Sequence, residues 1–156
     1  MIELKTLTPD DWLEWRDLRL RALADALHAF SARIEDWQGA DDTRWRQRLS
    51  LPGSCNIIAR CDGIAVGMVS GISTEQTEAK ALIALWVAPD ARGRGVGDAL
   101  TTAIAHWATA LGARELRLDV AAANTSAIAL YARHGFVDVD VSQDAGSRAM
   151  VKVLGN

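Results

Sequence analysis

Hydrophobic and polar positions in the first third of the chain predict one strand followed by two helices. Ile2 to Leu7 alternates between apolar and polar side chains, which is typical of a half-buried strand. Thr8-Pro9-Asp10-Asp11 is typical of a helix start, with Thr8 as the N-cap. Ser31 to Ala40 has no clear pattern, and Asp41 to Leu49 predicts the second helix. The first helix carries one apolar stripe at steps of three and four residues: Leu20, Leu23, Leu27 and Phe30.

The middle of the chain predicts a hairpin and a buried strand. Asn56 to Arg60 and Ile64 to Ile72 have strand patterns and are joined by Asp62-Gly63, a strong signal for a two-residue turn. Ala79 to Val87 is almost wholly apolar, as expected of a central strand that is covered on both faces.

The last third of the chain alternates between helices and strands. Gly95 to Leu111 has the clearest helical periodicity, and Glu115 to Val120 alternates as a strand. Asn124 begins a helix that ends at Gly135. Val137 to Val141 and Arg148 to Val153 predict a terminal hairpin. The whole order predicts an α/β fold, a mixed sheet with antiparallel hairpins at both ends, in a single domain over residues 1–156.

Composition and charge narrow the class of protein. Hydrophobic residues make up 49% of the chain and charged residues 24%, as in an ordinary globular protein. A net charge of −3 argues against a nucleic-acid partner and against an anionic membrane surface. Cys55 and Cys61 flank one predicted strand, which separates them too far for a disulfide. Free thiols, and the lack of an apolar run that could span a bilayer, predict a cytoplasmic location.

The segment between the central strand and the clearest helix is the strongest candidate for a binding site. Its positions Arg92, Gly93, Arg94, Gly95, Val96, Gly97 and Asp98 form an Arg/Gly loop that opens directly into the helix. Glycines let backbone N–H groups approach an anion, and a helix start adds unpaired N–H groups. The loop therefore predicts a pocket for the pyrophosphate of a nucleotide-like cofactor.

The glycine spacing separates the possible cofactors. No lysine follows Gly97, as a Walker A loop would require. A Rossmann fingerprint needs a third glycine where Asp98 stands, and its first glycine would lie closer to the strand. Asp119, at the end of the next strand, suits the ribose-binding acid of such a fold. A dinucleotide-dependent oxidoreductase therefore stays as an alternative of lower rank.

Two blocks of sequence resemble the GNAT (GCN5-related N-acetyltransferase) superfamily. Arg92-x-x-Gly95-x-Gly97 resembles its Q/R-x-x-G-x-G/A acyl-CoA motif, and the segment from Asn124 to Phe136 resembles its N-x-x-A-x-x-L-Y-x-x-x-G-F block. The resemblance implies a GNAT-like fold and transfer of an acetyl group from acetyl-CoA to a primary amine by direct attack. A non-catalytic acyl-CoA-binding or sensing module is the alternative. Members of this family often form homodimers, and the acceptor, a small molecule or a protein, is open.

The resemblance also implies roles for individual residues. Tyr131 would donate a proton to the leaving thiolate, and Asp119 would act as a base through a water molecule. Tyr131 could instead pack its ring in the core, and Asp119 could pair with Arg117. Asn124 would contact the cofactor and would also cap its own helix. Tyr131 and the Arg/Gly loop would contact the cofactor as well. The backbone of three strand residues would bind the pantetheine arm where this strand splays from its parallel neighbour: Leu85, Trp86 and Val87.

Several further residues have weaker assignments. Asp98 would place an anion beside the pyrophosphate, so we expect its carboxylate to point outward and only its N–H to face the phosphates. Trp37 and Trp45 fall where the family has its acceptor pocket, although packing is the commoner role of a tryptophan. His28 is an alternative base of low rank. No cluster of histidine, cysteine and acidic residues has the spacing of metal ligands, so no metal is expected.

Overall fold

The structure is a computed structural model that describes residues 1–25, 34–139 and 146–155. The helices in this part are α1 (Trp12–Asp25), α2 (Ile34–Trp37), α3 (Asp42–Leu49), α4 (Val96–Ala110) and α5 (Thr125–Arg133). The strands are β1 (Ile2–Thr6), β2 (Cys55–Cys61), β3 (Ile64–Ser73), β4 (Ala79–Val87), β5 (Glu115–Ala121), β6 (Val137–Asp138) and β7 (Ser147–Val153). They form one sheet in the order β1-β2-β3-β4-β5-β7-β6.

The sheet is mixed, as the order of predicted elements indicated. Within the described residues β4 and β5 are the parallel pair, and the other neighbouring strands run antiparallel. A doubly wound dinucleotide-binding fold has a mostly parallel sheet. The observed sheet therefore argues against a dinucleotide-dependent oxidoreductase, as the glycine spacing does.

Local sequence signals account for most element boundaries. The hairpin between β2 and β3 turns at Asp62 and Gly63, whose φ angles of 53° and 80° are the positive values that a type I′ turn requires. The Thr8 backbone N–H donates to the Asp11 carboxylate at 2.8 Å, which begins the turn that leads into α1. Helix α2 lies between Ser31 and Ala40, where the sequence shows no clear pattern. A single helical turn is too short to produce a periodic pattern.

The terminal hairpin differs in part from its prediction, and some predicted residues lie outside the described part of the chain. The first strand of the terminal hairpin is only two residues long, Val137–Asp138, and pairs with β7. The rest of its expected length and its turn fall in residues 140–145, which are not described. Leu27, His28 and Phe30 also lie outside the described residues. Within the described parts of the chain, no helix is both long and apolar enough to cross a membrane.

Helices cover both faces of the sheet. A Cβ at Gly67 or Gly71 of β3 would collide with side chains of α4, so α4 packs closely on that face. Ser70 lies between them in sequence and accepts a hydrogen bond from Arg48 of α3 at 3.1 Å. Because successive side chains of a strand point to opposite faces, α3 covers the face opposite to α4. Fully buried side chains fill the layers between them, among them Trp15, Trp45, Met68, Leu100 and Ile104.

The parallel pair β4 and β5 separates part of the way along its length. The two strands are paired from Ala79↔Glu115 to Ala81↔Arg117 and then diverge. Ala84 has a φ of 60°, an uncommon value for a residue with a Cβ, and the β3–β4 register shifts between Met68 and Ser70. These irregularities lie in the part of β4 that is no longer paired with β5, where the resemblance implies a cleft.

Candidate active site

A cavity of about 660 Å³ lies where β4 leads into α4. Its walls come from β4, the Arg/Gly loop, the start of α4, β5 and α5. Of the residues proposed above for cofactor binding, the cavity is lined by Leu85, Trp86, Val87, Arg92, Gly93, Gly95, Val96, Gly97, Asp98, Asn124 and Tyr131. Arg94 is exposed and is not among the lining residues. Contact with the cofactor stays a prediction for all of these residues.

The start of α4 offers backbone donors to this cavity. Gly95 is the N-cap with a φ of 86°, and no side chain caps the helix there. The first bond of this helix runs from the Ala99 N–H to the Gly95 carbonyl at 3.0 Å, so the preceding N–H groups have no partner within the helix. A Cβ at Gly93 or Gly95 would meet nothing within 4 Å. The loop therefore combines unpaired donors with open space, which suits an anionic group.

The carboxylate of Asp98 is bound by the end of α5. Asp98 Oδ1 lies 3.1 Å from Arg133 Nη2 and 2.8 Å from His134 Nε2. The hydrogen bond with His134, helped by Arg133, lowers the pKa of the Asp98 carboxyl below its ordinary value. Asp98 is thus ionised at neutral pH, and the neighbouring cation offsets its charge. The carboxylate thus links α4 to α5. That it points away from the phosphates stays a prediction.

Asp25 is a site residue that sequence reasoning missed. Its Oδ2 accepts hydrogen bonds from Arg92 Nη2 and from Trp86 Nε1, both at 2.9 Å. Arg92 Nε also donates to the Val87 carbonyl at 3.0 Å. Arg92 therefore ties the loop to the end of α1 and to β4, and part of its charge is already paired. No periodicity marks Asp25, because its partners lie more than sixty residues away in the chain.

Tyr131 packs in the core and also lines the first cavity, while its role as a proton donor stays a prediction. Its side chain is 6% exposed, and its ring meets Phe136 edge-on at 5.5 Å between centroids. The residue also lines the cavity. Burial raises the pKa of the Tyr131 phenol well above its ordinary value. The phenol therefore remains protonated at neutral pH, as a proton donor must.

Asp119 does not pair with Arg117. Arg117 Nη2 instead donates to Glu115 Oε2 at 2.8 Å and to Gln76 Oε1 at 2.9 Å. Asp119 is exposed, and in the part of the chain that the structure describes its carboxylate makes no hydrogen bond or ion pair. The alternative in which Asp119 pairs with Arg117 is therefore wrong.

A second cavity, of about 1110 Å³, adjoins the first. Its walls come from α1, α2, α3, β4, β5 and β7, and they include Trp15, Trp37 and Trp45. Trp37 and Trp45 lie 4.7 Å apart between ring centroids. Five residues line both cavities, and they stand where β4 and β5 have diverged: Leu82, Ile83, Ala84, Asp119 and Val120. The two cavities therefore approach each other through the cleft between the strands, with Asp119 on the shared wall.

Asn124 acts as the N-cap that its position predicts. Its Oδ1 accepts a hydrogen bond from the Ala127 N–H at 3.3 Å, while the residue also lines the first cavity. The capping role is thus observed, and cofactor contact stays a prediction. Across residues 1–25, 34–139 and 146–155, no three histidine, cysteine or acidic side chains are grouped as they would be to hold a metal ion.

Comparisons with known proteins agree with this architecture. A mycothiol acetyltransferase of Clavibacter sepedonicus is 32% identical over 140 residues, which are 90% of this chain but only 44% of that relative. A GNAT-family acetyltransferase of Streptococcus pneumoniae has the same fold, with a TM-score of 0.81 and 20% identity over 99% of this chain and 100% of its own. The PaiA N-acetyltransferase of Thermoplasma acidophilum, solved in complex with coenzyme A, has a TM-score of 0.78 and 18% identity over 98% of this chain and 99% of its own.

The family model described as the acetyltransferase (GNAT) family matches residues 11–136. This match includes the Arg/Gly loop, the divergent strands and Tyr131. The chain belongs to the acetyltransferase (GNAT) family.

Proposed function

We propose that this protein transfers the acetyl group of acetyl-CoA to a primary amine by direct attack. The observation that carries the proposal is the meeting of two cavities at the cleft between β4 and β5. One cavity has the donors for a pyrophosphate, and the other has room for an acceptor. The coenzyme A complex of a protein with the same fold supports the assignment of the first cavity to the cofactor.

The first cavity fits coenzyme A in its chemistry. The unpaired N–H groups at the start of α4 would bind the pyrophosphate, and the open glycines would let it approach the backbone. Leu85, Trp86 and Val87 lie on the side of the cleft where β4 no longer pairs with β5. Their backbone groups there would bind the amide-containing pantetheine arm, much as a strand would.

The proposed reaction needs one proton removed and one supplied. A protonated amine loses its proton to a water molecule held by Asp119, and its nitrogen then forms a bond to the thioester carbonyl carbon. The carbon–sulfur bond breaks, and the departing thiolate takes the phenol proton of Tyr131. The second proton that the nitrogen loses as it becomes an amide restores the phenol. A base and an acid placed in this way are the usual means of accelerating acyl transfer. The position of Tyr131 on the wall of the first cavity supports this role, since a phenol is protonated at neutral pH.

The experiment that tests the proposal measures acetyl-CoA binding and thiol release separately. We expect acetyl-CoA to raise the melting temperature, and we expect a panel of primary amines to include acceptors that release free coenzyme A. NAD serves as the control ligand and should leave the melting temperature unchanged. Binding of acetyl-CoA without thiol release from any amine would instead support the non-catalytic binding module.

A further inference from the structure

The wall of the first cavity carries carboxylates as well as arginines. Among the described residues, its charged lining residues are Asp25, Asp98, Asp119, Arg92 and Arg133. The cofactor proposed for this cavity, acetyl-CoA, has a pyrophosphate and a separate 3′-phosphate on its ribose. An anionic group is bound stably in a cavity only where donors or cations compensate its charge. Each of the two phosphate groups therefore needs donors or a cation of its own.

The pyrophosphate has its donors in the Arg/Gly loop. The unpaired N–H groups at the start of α4 lie there, and a Cβ at Gly95 would meet nothing within 4 Å. Arg92 is engaged by the fold, since it donates to the Asp25 carboxylate and to the Val87 carbonyl. Arg133, at the end of α5, is the other arginine that lines this cavity in the described part of the chain. It is therefore the candidate cation for the second phosphate group.

Arg133 is oriented by a carboxylate but retains free donors. Its Nη2 lies 3.1 Å from Asp98 Oδ1 and 3.3 Å from Asp98 Oδ2. Its Nε and Nη1 make no hydrogen bond to any residue in the described ranges. Asp98 Oδ1 is also bound by His134 Nε2 at 2.8 Å, so its charge is shared between two partners. The ion pair thus holds the guanidinium in place and leaves three of its five N–H groups available.

Arg133 lies at the outer end of the path proposed for the cofactor. The thioester would lie at the cleft beside Tyr131, the pantetheine arm along β4, and the pyrophosphate at the start of α4. The partner of Arg133, Asp98, is in the first turn of α4, so the guanidinium lies next to the proposed pyrophosphate site. The Arg133 side chain is 58% exposed, which puts it at the rim of the cavity. The ribose follows the pyrophosphate in the cofactor, so its 3′-phosphate would reach this rim.

We propose that Arg133 binds the 3′-phosphate of the cofactor and makes the protein prefer coenzyme A to 3′-dephospho-coenzyme A. The guanidinium donates to the phosphate oxygens through the N–H groups that Asp98 leaves free, and such charge-assisted hydrogen bonds are the strong ones. This inference rests on the proposed function, because it assumes that the first cavity binds acetyl-CoA.

The test compares two ligands that differ only in the 3′-phosphate. Titration calorimetry measures the dissociation constants of coenzyme A and of 3′-dephospho-coenzyme A. We expect coenzyme A to bind the wild type about 5- to 20-fold more tightly, between the effect of an exposed ion pair and that of a hydrogen bond to a charged group. The ratio of the two dissociation constants is the readout, because a change in folding or at the pyrophosphate site would alter both constants alike.

Variants of three arginines test where the preference comes from. Arg133→Gln should remove most of it, and Arg133→Lys, which keeps a point charge, should retain part. Arg94→Gln removes an exposed cation of the loop and measures the effect of net charge alone, so it should keep most of the ratio. Arg148→Gln is the matched control: Arg148 is also an exposed arginine in an ion pair, with Asp138, but it lines neither cavity. It should keep the wild-type ratio.

The outcomes separate this inference from the proposed function. Equal affinity of the wild type for both ligands, an unchanged ratio in Arg133→Gln, or an equal loss of the ratio in Arg94→Gln or Arg148→Gln would overturn the inference. Binding of coenzyme A in any of these cases would leave the assignment of the first cavity standing. A preference that depends on Arg133, without thiol release from any amine, would support the phosphate site and contradict acetyl transfer. Absence of binding by either ligand would overturn both proposals.

Discussion

Individual side chains at this site serve both packing and proposed chemistry. Tyr131 is buried against Phe136 and still lines the first cavity, so the residue contributes both to the core and to the cavity wall. Asp119 has the opposite character, because it is exposed and has no partner among the described residues. The roles proposed for these two residues can be tested separately, since Tyr131→Phe and Asp119→Asn each leave a side chain of nearly the same shape.

The variant Tyr131→Phe should slow the chemical step by about 10²–10⁴-fold, the usual contribution of a general acid. The ring keeps its contact with Phe136, so acetyl-CoA affinity and the free energy of unfolding should change little. Single-turnover rates and the dissociation constant of acetyl-CoA, measured on the same preparation, check this. An unchanged single-turnover rate would remove Tyr131 from the mechanism.

The variant Asp119→Asn should depress the rate most near neutral pH, where the acceptor amine is protonated and needs a base. The loss should shrink at high pH, because the free amine is then abundant without assistance. A profile of kcat/KM against pH measures this. Asp138→Asn is the control, since Asp138 pairs with Arg148 and lines neither cavity, and it should keep the wild-type profile. Wild-type rates for Asp119→Asn at every pH would exclude the base.

At the scale of elements, the glycines on either side of α4 have similar backbone conformations but different surroundings. Gly95 before the helix and Gly112 after it have φ angles of 86° and 82°, and a Cβ at either would meet nothing within 4 Å. Of these two glycines, only Gly95 lines the first cavity. A valine at Gly95 would be strained by the positive φ, so loss of binding in that variant would be confounded with loss of stability. Asparagine tolerates this conformation better.

We therefore expect Gly95→Asn to weaken acetyl-CoA binding at least about tenfold, since its side chain would enter the space proposed for the pyrophosphate; the tenfold figure corresponds to about 1.4 kcal/mol. Gly112→Asn is the matched control and should bind acetyl-CoA like the wild type while it changes stability by a similar amount. Titration calorimetry and urea unfolding measure the two quantities. Equal affinities of the two variants would contradict the assignment of the loop.

The contact between α4 and α5 makes stability depend on pH. The folded state lowers the pKa of Asp98 below 3.8, so its contribution is present above that value and is lost as the pH falls through the lower, folded-state pKa. Since Asp98 is about half exposed, the contribution should be about 1 kcal/mol or less. Urea unfolding of wild type and Asp98→Asn should show a gap at neutral pH that closes in acid. Parallel curves down to low pH would show that the carboxylate contributes nothing.

At the scale of the whole molecule, the main feature of the sheet is that its central strands, β4 and β5, pair over only part of their length. β4 pairs with β3 over most of its length, with one register shift, but pairs with β5 over only three residue pairs on the other side. Backbone groups of β4 beyond Ala81 that face β5 therefore lack a strand partner. The cleft joins the two cavities, and it can exist because the antiparallel strands on each side hold β4 and β5 in place.

Hydrogen exchange measures this directly. Amides of β4 between Leu82 and Val87 should become better protected when acetyl-CoA binds, because the pantetheine arm would take the place of the absent strand contacts. Amides of β2, which lies outside the cleft, provide the internal control and should change little. Unchanged protection of β4 at saturating acetyl-CoA would contradict the proposed path of the arm.

Much of the fold was predictable from the sequence because its signals are local. The period of apolar residues predicted α4, the Asp62-Gly63 turn predicted the β2–β3 hairpin, and Asn124 predicted the start of α5. The two motif blocks also predicted which family the chain belongs to, because glycine spacing and a helix start depend on neighbouring residues. Helix α2 was not predicted, since one turn is too short for any period to appear.

The partners of charged side chains were decided only by the tertiary structure. Asp25 meets Arg92 and Trp86, Asp98 meets His134, and Arg19 and Arg48 share a cavity although they lie on different helices. Such pairs are separated by tens of residues, and no periodicity relates them. They depend on where each helix crosses the sheet, which is set by packing against strands from distant parts of the chain. Local pattern thus determined the elements and the Arg/Gly loop, while long-range packing determined which charges face the cavities.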